Sequence, residues 1–331
     1  MKGTELGMFT SFQDYWGARK PELDDAFQKQ LRSLLEHIPL KETAALQDAL
    51  ETGKKIRGCL TCLISDALGG VLEEAIPRAI AIELIQAATL IHDDFVDQDT
   101  TRRNKPAAWT LEGARRAVLI GDVLFATAIK MMNDLGREDG RVVSQAIAQV
   151  ARGALHEPLD PFILAEEIES NKIDGKLYEK IIRLKTGILF GTACQLGGLA
   201  ARADERLGKI SFRYGIRIGE AYQIADDLKE VEEYLAGRHL HAGQLAALAP
   251  ALLYFVDDLR PFFLSHLKGQ GENPNAATAE FFRVGAKLMK NEIERRLKEG
   301  ALEIKGNFPN NQYTAVVCQA PWDLIRMFNE S

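Results

Sequence analysis

Cysteine is scarce in this chain: four residues in 331, at positions 59, 62, 194 and 318. Cys59 and Cys62 form a C-x-x-C, but no second ligand pair accompanies them, which argues against a zinc or redox site. Two small side chains on one buried helical face is the reading. Basic segments are also missing. The net charge is −6, so the positive footprint of a nucleic-acid binder is absent. No apolar stretch is long and uninterrupted enough to span a bilayer. The start, Met1 to Gly17, lacks the apolar core of a signal peptide. Strand-like alternation is rare, and there is no fixed-period repeat. With 46% hydrophobic residues the chain is globular, and the expectation is a cytoplasmic protein.

What is present is helical periodicity. Apolar residues recur at three- and four-residue spacing, which predicts helices near 20–37, 42–51, 55–69, 73–98, 107–135, 139–154, 175–202, 205–235, 243–266 and 276–299. The breaks carry Gly, Pro, Asn or Asp, as at Gly69-Gly70, Asn104-Lys105-Pro106, Gly136 to Gly140 and Gly269 to Pro274. None is long enough for a domain linker, so one all-α domain over 1–331 is expected. Residues 306–331 form an atypical tail. There Phe308 to Gln312 reads as a turn or loop, and Pro321 to Ile325 as the start of one short helix.

Two acidic pentads stand out, Asp93-Asp94-Phe95-Val96-Asp97 and Asp226-Asp227-Leu228-Lys229-Glu230. On a helix, Asp93 and Asp97 share a face, as do Asp226 and Glu230. Such carboxylate pairs repel unless cations sit between them, and hard oxygen ligands suit Mg²⁺ shared with substrate phosphates. Acidic residues at a helix C-terminus also oppose its dipole, which makes the first pentad more than a solvated face. Arg102-Arg103 follow it, and arginine pairs are good bidentate phosphate ligands. Upstream, Lys54 and Arg57 lie three apart after Gly53, which lets backbone approach an anion. Lys185-Thr186, Gln223 and Asp122 are polar residues in apolar helical runs. Each alone is as compatible with a satisfied core hydrogen bond as with catalysis.

In this order the motifs resemble those of the trans-isoprenyl diphosphate synthases, the polyprenyl synthetase family, from about Gly53 to Glu230. Gly53-Lys54-Lys55-Ile56-Arg57 is similar to the family's Gly-Lys-Arg-x-Arg. Asp93 to Asp97 is similar to its first Asp-rich motif, with Arg102 and Arg103 at the usual spacing. Gly121-Asp122, Lys185-Thr186 and Gln223 before Asp226-Asp227 fall in family order. The resemblance implies an isoprenoid synthase-like helical bundle around a deep central cavity, usually a homodimer. It implies two or three Mg²⁺ held by Asp93, Asp97 and Asp226, with Asp94, Asp227 and Glu230 supporting. Arg102 and Lys185 would contact an allylic diphosphate, and Lys54, Arg57, Gln86 and Arg103 would serve isopentenyl diphosphate. Thr186 and Gln223 would turn oxygen dipoles toward a developing cation. The implied reaction ionises the allylic C–O bond, lets the alkene of isopentenyl diphosphate attack the cation, and then loses a proton.

The sequence departs from the family at several points. Gln86 stands where a histidine is usual, and donates a hydrogen bond without charge. Glu230 replaces aspartate. The segment Gly237-Arg238-His239-Leu240-His241-Ala242-Gly243 is shorter and lacks the family's lysine, with Arg238 placed to compensate. C-terminal basic residues are not evident. Thr89 and Ala88, four and five positions before Asp93, are small where bulky aromatics stop chain growth early. One helical turn rises about 5.4 Å, roughly one isoprene unit. The expected stop therefore lies deeper, at Phe125, Ile129 or Met132, which points to geranylgeranyl length or longer. Two alternatives stand beside this reading: a class I terpene cyclase, or other enzyme ionising an allylic diphosphate alone, and a non-catalytic subunit of a heteromeric synthase.

Overall fold

The computed structural model describes residues 9–36, 38, 46–47, 50–51, 53–156, 160–170, 172, 175–238, 242–270 and 276–329. Most of the predicted helix 42–51, residues 239–241 of the shortened segment and the break at 271–274 lie outside these residues. The described chain is all-α, apart from a two-residue pairing of β1 (Thr101–Arg102) with β2 (Lys105–Pro106). Contacts group it into two compact units. One holds Met1–Ala148, Leu189–Gly215 and Ala301–Ser331, the other Gln149–Ile188 and Ile216–Gly300.

In the first unit, α1 (Phe12–Leu35) begins at Ser11, whose hydroxyl accepts the Asp14 N–H at 3.1 Å. Its buried face runs Phe12, Tyr15, Arg19, Leu23, Phe27, Leu31 and Leu35, a stripe at helical spacing. Helix α2 (Ile56–Ala67) is buried almost all round. Helix α3 (Leu72–Val96) is a core helix packed on α2 and on α5 (Ala114–Leu135). By length and composition α3 is apolar enough to cross a membrane, contrary to the expectation from sequence. In this fold 67% of its apolar window is buried against other helices. The helix predicted over 107–135 is two, α4 (Ala108–Glu112) and α5, because Gly113 takes φ +86° between them. Helix α6 (Arg137–Ala154) follows.

The tail departs most from expectation. It forms one helix, α14 (Gln312–Asn329), which runs straight through Pro321. Proline cannot donate to the carbonyl four residues back, here that of Val317. The hydroxyl of Tyr214 donates to that carbonyl at 2.6 Å and fills the missing bond. The helix is pinned further by the Phe12 N–H on Asp323 Oδ2 at 2.7 Å and by Asn311 Nδ2 on the Ala67 carbonyl at 2.9 Å.

The second unit contains α7 (Pro161–Glu169), which periodicity did not anticipate, and α8 (Gly175–Ile182). A π-helical turn, Arg183–Gly187, leads from α8 into α9 (Ile188–Ala200). Helix α10 (Glu205–Leu235) carries the second acidic pentad. The stretch predicted as 243–266 is α11 (Ala242–Phe255), a 3₁₀ turn and α12 (Arg260–Leu267), followed by α13 (Ala276–Ile304). Phe262, Phe263, Phe282 and Tyr234 pack ring to ring there at centroid distances of 4.7–6.4 Å.

Candidate active site

Helix α3 ends inside the first acidic motif. Asp97 is its C-cap and Gln98 takes the left-handed conformation at φ +59°. The Asp99 N–H reaches the Asp94 carbonyl at 2.9 Å and the Gln98 N–H the Phe95 carbonyl at 3.4 Å, which is a Schellman closure. Asp97 N–H bonds the Asp93 carbonyl at 2.8 Å, so these two carboxylates share one face a turn apart. Asp93 is half-buried and Asp97 exposed. Asp94 is buried at 4% exposure and ion-paired with the Arg102 guanidinium. Burial pushes its carboxyl up, opposed by Arg102. That arginine is also the cation the helix C-terminus calls for.

Arg103 and Asn104 form the tip of the β1–β2 hairpin, at φ +52° and +61°. Two left-handed residues are what a type I′ hairpin requires. The turn swings Arg103 onto Gly53, where an added methyl would meet Arg103 Nη1 at 2.9 Å. The hairpin thus brings Arg103 onto the Gly53 segment, with Lys55 Nζ 3.7 Å from the same point. Arg57 stacks on the Phe190 ring at 4.5 Å, and Lys54 Nζ donates to the Met327 carbonyl at 2.6 Å. Lys55 is buried and left-handed, with Nζ 4.0 Å from the Phe27 ring centroid, and burial lowers its pKa. Glu83 accepts the Gly58 N–H at 2.8 Å and so caps α2. Gln86 lies one residue short of a turn further along α3, half-buried.

In the second unit, Lys185 and Thr186 lie on the π-helical turn. The Thr186 hydroxyl donates to Gln223 Oε1 at 2.6 Å, and Gln223 Nε2 donates to Asp227 Oδ1 at 3.0 Å. The Tyr178 hydroxyl donates to Asp227 Oδ2 at 2.6 Å. Burial pushes the Asp227 carboxyl up to about 6, resisted by the bonds from Tyr178 and Gln223. Glu230 is pushed up to about 7 by burial and then by Asp227 and Asp226. Lys185 is close enough to oppose both shifts. Asp226 is exposed, one helical turn from Glu230. Behind the π-helical turn, Arg296 is buried at 1% exposure among Glu220, Glu179 and Glu292. Gly187 packs on Glu220, where an added methyl would lie 3.3 Å from its Cγ.

Of the residues expected to set chain length, Ala88 and Met132 are fully buried, Thr89 is buried, and Phe125 and Ile129 are half-buried. Phe125 meets the His92 ring edge-on at 5.6 Å. His92 Nε2 donates to the Val118 carbonyl at 3.0 Å, and Gly121 sits so close that a methyl there would lie 2.2 Å from this nitrogen. This explains the glycine of Gly121-Asp122, while Asp122 is mostly exposed, 3.7 Å from His92. Sequence reasoning missed Tyr178, Glu83, His92 and Arg296. Tyr178 alone had a signal, an aromatic seven residues before Lys185 on the same helical face.

Among the described residues no group of three or more His, Cys, Asp and Glu side chains is gathered to hold a metal by itself. The donors are instead all-oxygen carboxylate pairs, which fit a hard cation whose shell is completed by phosphate oxygens and water. Arg238, the predicted substitute for the missing lysine, is exposed and pairs with Glu233.

The chain is all-helical, with one carboxylate pair at the end of α3, another within α10, and Arg103 and Lys55 at Gly53, groups of the kind that bind a polyanion. Residues 41–236 match the family model for polyprenyl synthetase. The chain is 32% identical over 260 residues to heptaprenyl diphosphate synthase component 2 of Geobacillus stearothermophilus, covering 76% of each. It is 36% identical over 188 residues to the geranylfarnesyl diphosphate synthase of Aeropyrum pernix, covering 53% of this chain and 57% of that protein. The crystal structure of a decaprenyl diphosphate synthase from Rhodobacter capsulatus shares the fold, with a TM-score of 0.78 at 22% identity over 96% of this chain and 99% of that one. The chain belongs to the polyprenyl synthetase family and is a prenyltransferase.

Proposed function

We propose that this enzyme condenses isopentenyl diphosphate with an allylic diphosphate, in the presence of Mg²⁺, to give a trans-polyprenyl diphosphate of geranylgeranyl length or longer. It would act as a cytoplasmic homodimer. Asp93, Asp97 and Asp226 hold the metal ions, with Asp94, Asp227 and Glu230 supporting. When bound, Mg²⁺ neutralises the diphosphate and makes it a competent leaving group. Arg102 and Lys185 take the allylic diphosphate. Lys54, Arg57, Gln86 and Arg103 take isopentenyl diphosphate. Thr186 and Gln223 turn oxygen toward the carbon that becomes cationic.

The observation that supports the reading is Arg103 seated on Gly53, the glycine of the segment that carries Lys54 and Arg57. A second basic site is needed by an enzyme that binds two diphosphates, and a cyclase has no use for it. The relatives' names support a long product, heptaprenyl in one and geranylfarnesyl in the other. The word "component" in the first name favours a second reading, in which the chain works with another subunit.

The test is incubation with Mg²⁺ and farnesyl diphosphate, with and without labelled isopentenyl diphosphate. Label in a longer prenyl chain supports elongation. A hydrocarbon or alcohol formed without the label supports a cyclase, and turnover that needs an added partner supports the two-subunit reading.

A further inference from the structure

Thr186, Gln223, Asp227 and Tyr178 form a continuous chain whose direction is fixed at one end. Asp227, when ionised, only accepts hydrogen bonds. It takes one from Tyr178 on Oδ2 at 2.6 Å and one from Gln223 Nε2 on Oδ1 at 3.0 Å. The amide nitrogen of Gln223 must therefore face Asp227, which leaves Oε1 toward Thr186. The Thr186 hydroxyl then has to donate to Oε1, at 2.6 Å. With its proton committed, the Thr186 oxygen offers lone pairs to anything else that approaches. That is the polarity suited to a carbocation and unsuited to a diphosphate oxygen. Tyr178 is held rigidly for this purpose: it is 2% exposed, with Tyr254 and Phe255 rings at 5.4 and 6.1 Å.

Resting on the prenyl-transfer reading above, we propose that Tyr178 is a positioning residue for the ionisation step. Its hydroxyl holds the Asp227 carboxylate in one orientation, and through Gln223 this sets which way the Thr186 hydroxyl points. Tyr178 touches no substrate in this account, and its effect reaches the reaction through three hydrogen bonds. Losing it frees Asp227 to rotate away from Gln223 Nε2, and once that bond is gone the amide is free to flip and the acceptor polarity at Thr186 is no longer enforced.

The test compares two prenyl diphosphate analogues of equal length in wild type and Tyr178→Phe. One carries an ammonium nitrogen at the reacting carbon, and the other is an unreactive neutral thio-linked compound. The wild type should prefer the ammonium analogue. Tyr178→Phe should lower that preference about tenfold and kcat by a similar factor, with KM for both substrates within about threefold. In a Thr186→Val background, Tyr178→Phe should have no further effect on the preference, because the two act as one unit. An unchanged preference, or effects of the two substitutions that add, would overturn the proposal while leaving the prenyl-transfer reading intact. Wild-type protein that binds neither analogue overturns both. If Tyr178→Phe fails to fold, Gln223→Met serves: it cuts the link between Asp227 and Thr186, and an unchanged preference would overturn the proposal.

Discussion

Arg102 reaches back eight residues to close on the buried carboxylate of Asp94, tying the hairpin to the end of the helix that carries the first acidic motif. Asp94 thus serves Arg102, while Asp93 and Asp97, one turn apart, share another face of the helix end.

The two aspartates should therefore fail differently. Asp94→Asn weakens a charge-assisted hydrogen bond of about 1.5–3 kcal/mol, so KM for the allylic diphosphate should rise by about tenfold or more with a smaller fall in kcat. Asp93→Asn should reduce kcat by orders of magnitude. Steady-state kinetics of both variants check this, and matching profiles would argue against separate roles.

The second motif predicts how stability responds to pH. Glu230 keeps its proton in the folded state to about pH 7, whereas the unfolded chain releases it near its ordinary value of 4.5. The folded state binds more protons between those limits, so this group makes metal-free protein less stable as pH rises through the window. Melting curves should show a smaller decline in Tm from pH 5 to 8 for Glu230→Gln than for wild type. Mg²⁺ binding together with a diphosphate should release protons below pH 7. Parallel Tm profiles for the two proteins would refute the assignment.

Tyr214 and Pro321 make a matched pair. Tyr214→Phe leaves the buried Val317 carbonyl without a donor, at a cost of about 1–3 kcal/mol. Pro321→Ala restores a helical N–H to the same carbonyl and should recover most of the loss in the double variant. Urea unfolding of the four proteins measures the coupling, and simple additivity would count against this account of the tail.

Ala88 is fully buried on α3, and Phe125, Ile129 and Met132 follow one another along α5. Ala88→Phe should shorten the product by at least one isoprene unit, as read by chromatography of the dephosphorylated alcohols. Unchanged length would remove Ala88 from the path of the chain.

Much of the fold was legible in the sequence, because long amphipathic helices announce themselves by spacing. The motifs were legible because carboxylates, arginines and lysines in apolar runs are costly unless employed. What escaped depends on contacts between distant segments. Pro321 reads locally as a helix breaker, and nothing near it reveals that Tyr214 supplies the missing donor. The strands around Arg103 are two residues each, too short to leave a period. The π-helical turn at Lys185 looks like ordinary helix, since the helix that follows is apolar and buried nearly all round and has no stripe whose shift would reveal the extra residue. Tyr178 reads as one more buried aromatic until its hydroxyl is found on Asp227.

Central to the proposed function is that Asp93 and Asp226 are each needed for Mg²⁺-dependent binding of the allylic diphosphate. Calorimetric binding of an unreactive allylic diphosphate analogue, with and without Mg²⁺, to wild type, Asp93→Asn and Asp226→Asn tests it most directly. The account predicts Mg²⁺-dependent binding in wild type that either substitution alone weakens at least tenfold. Wild-type affinity retained in Asp226→Asn would contradict it.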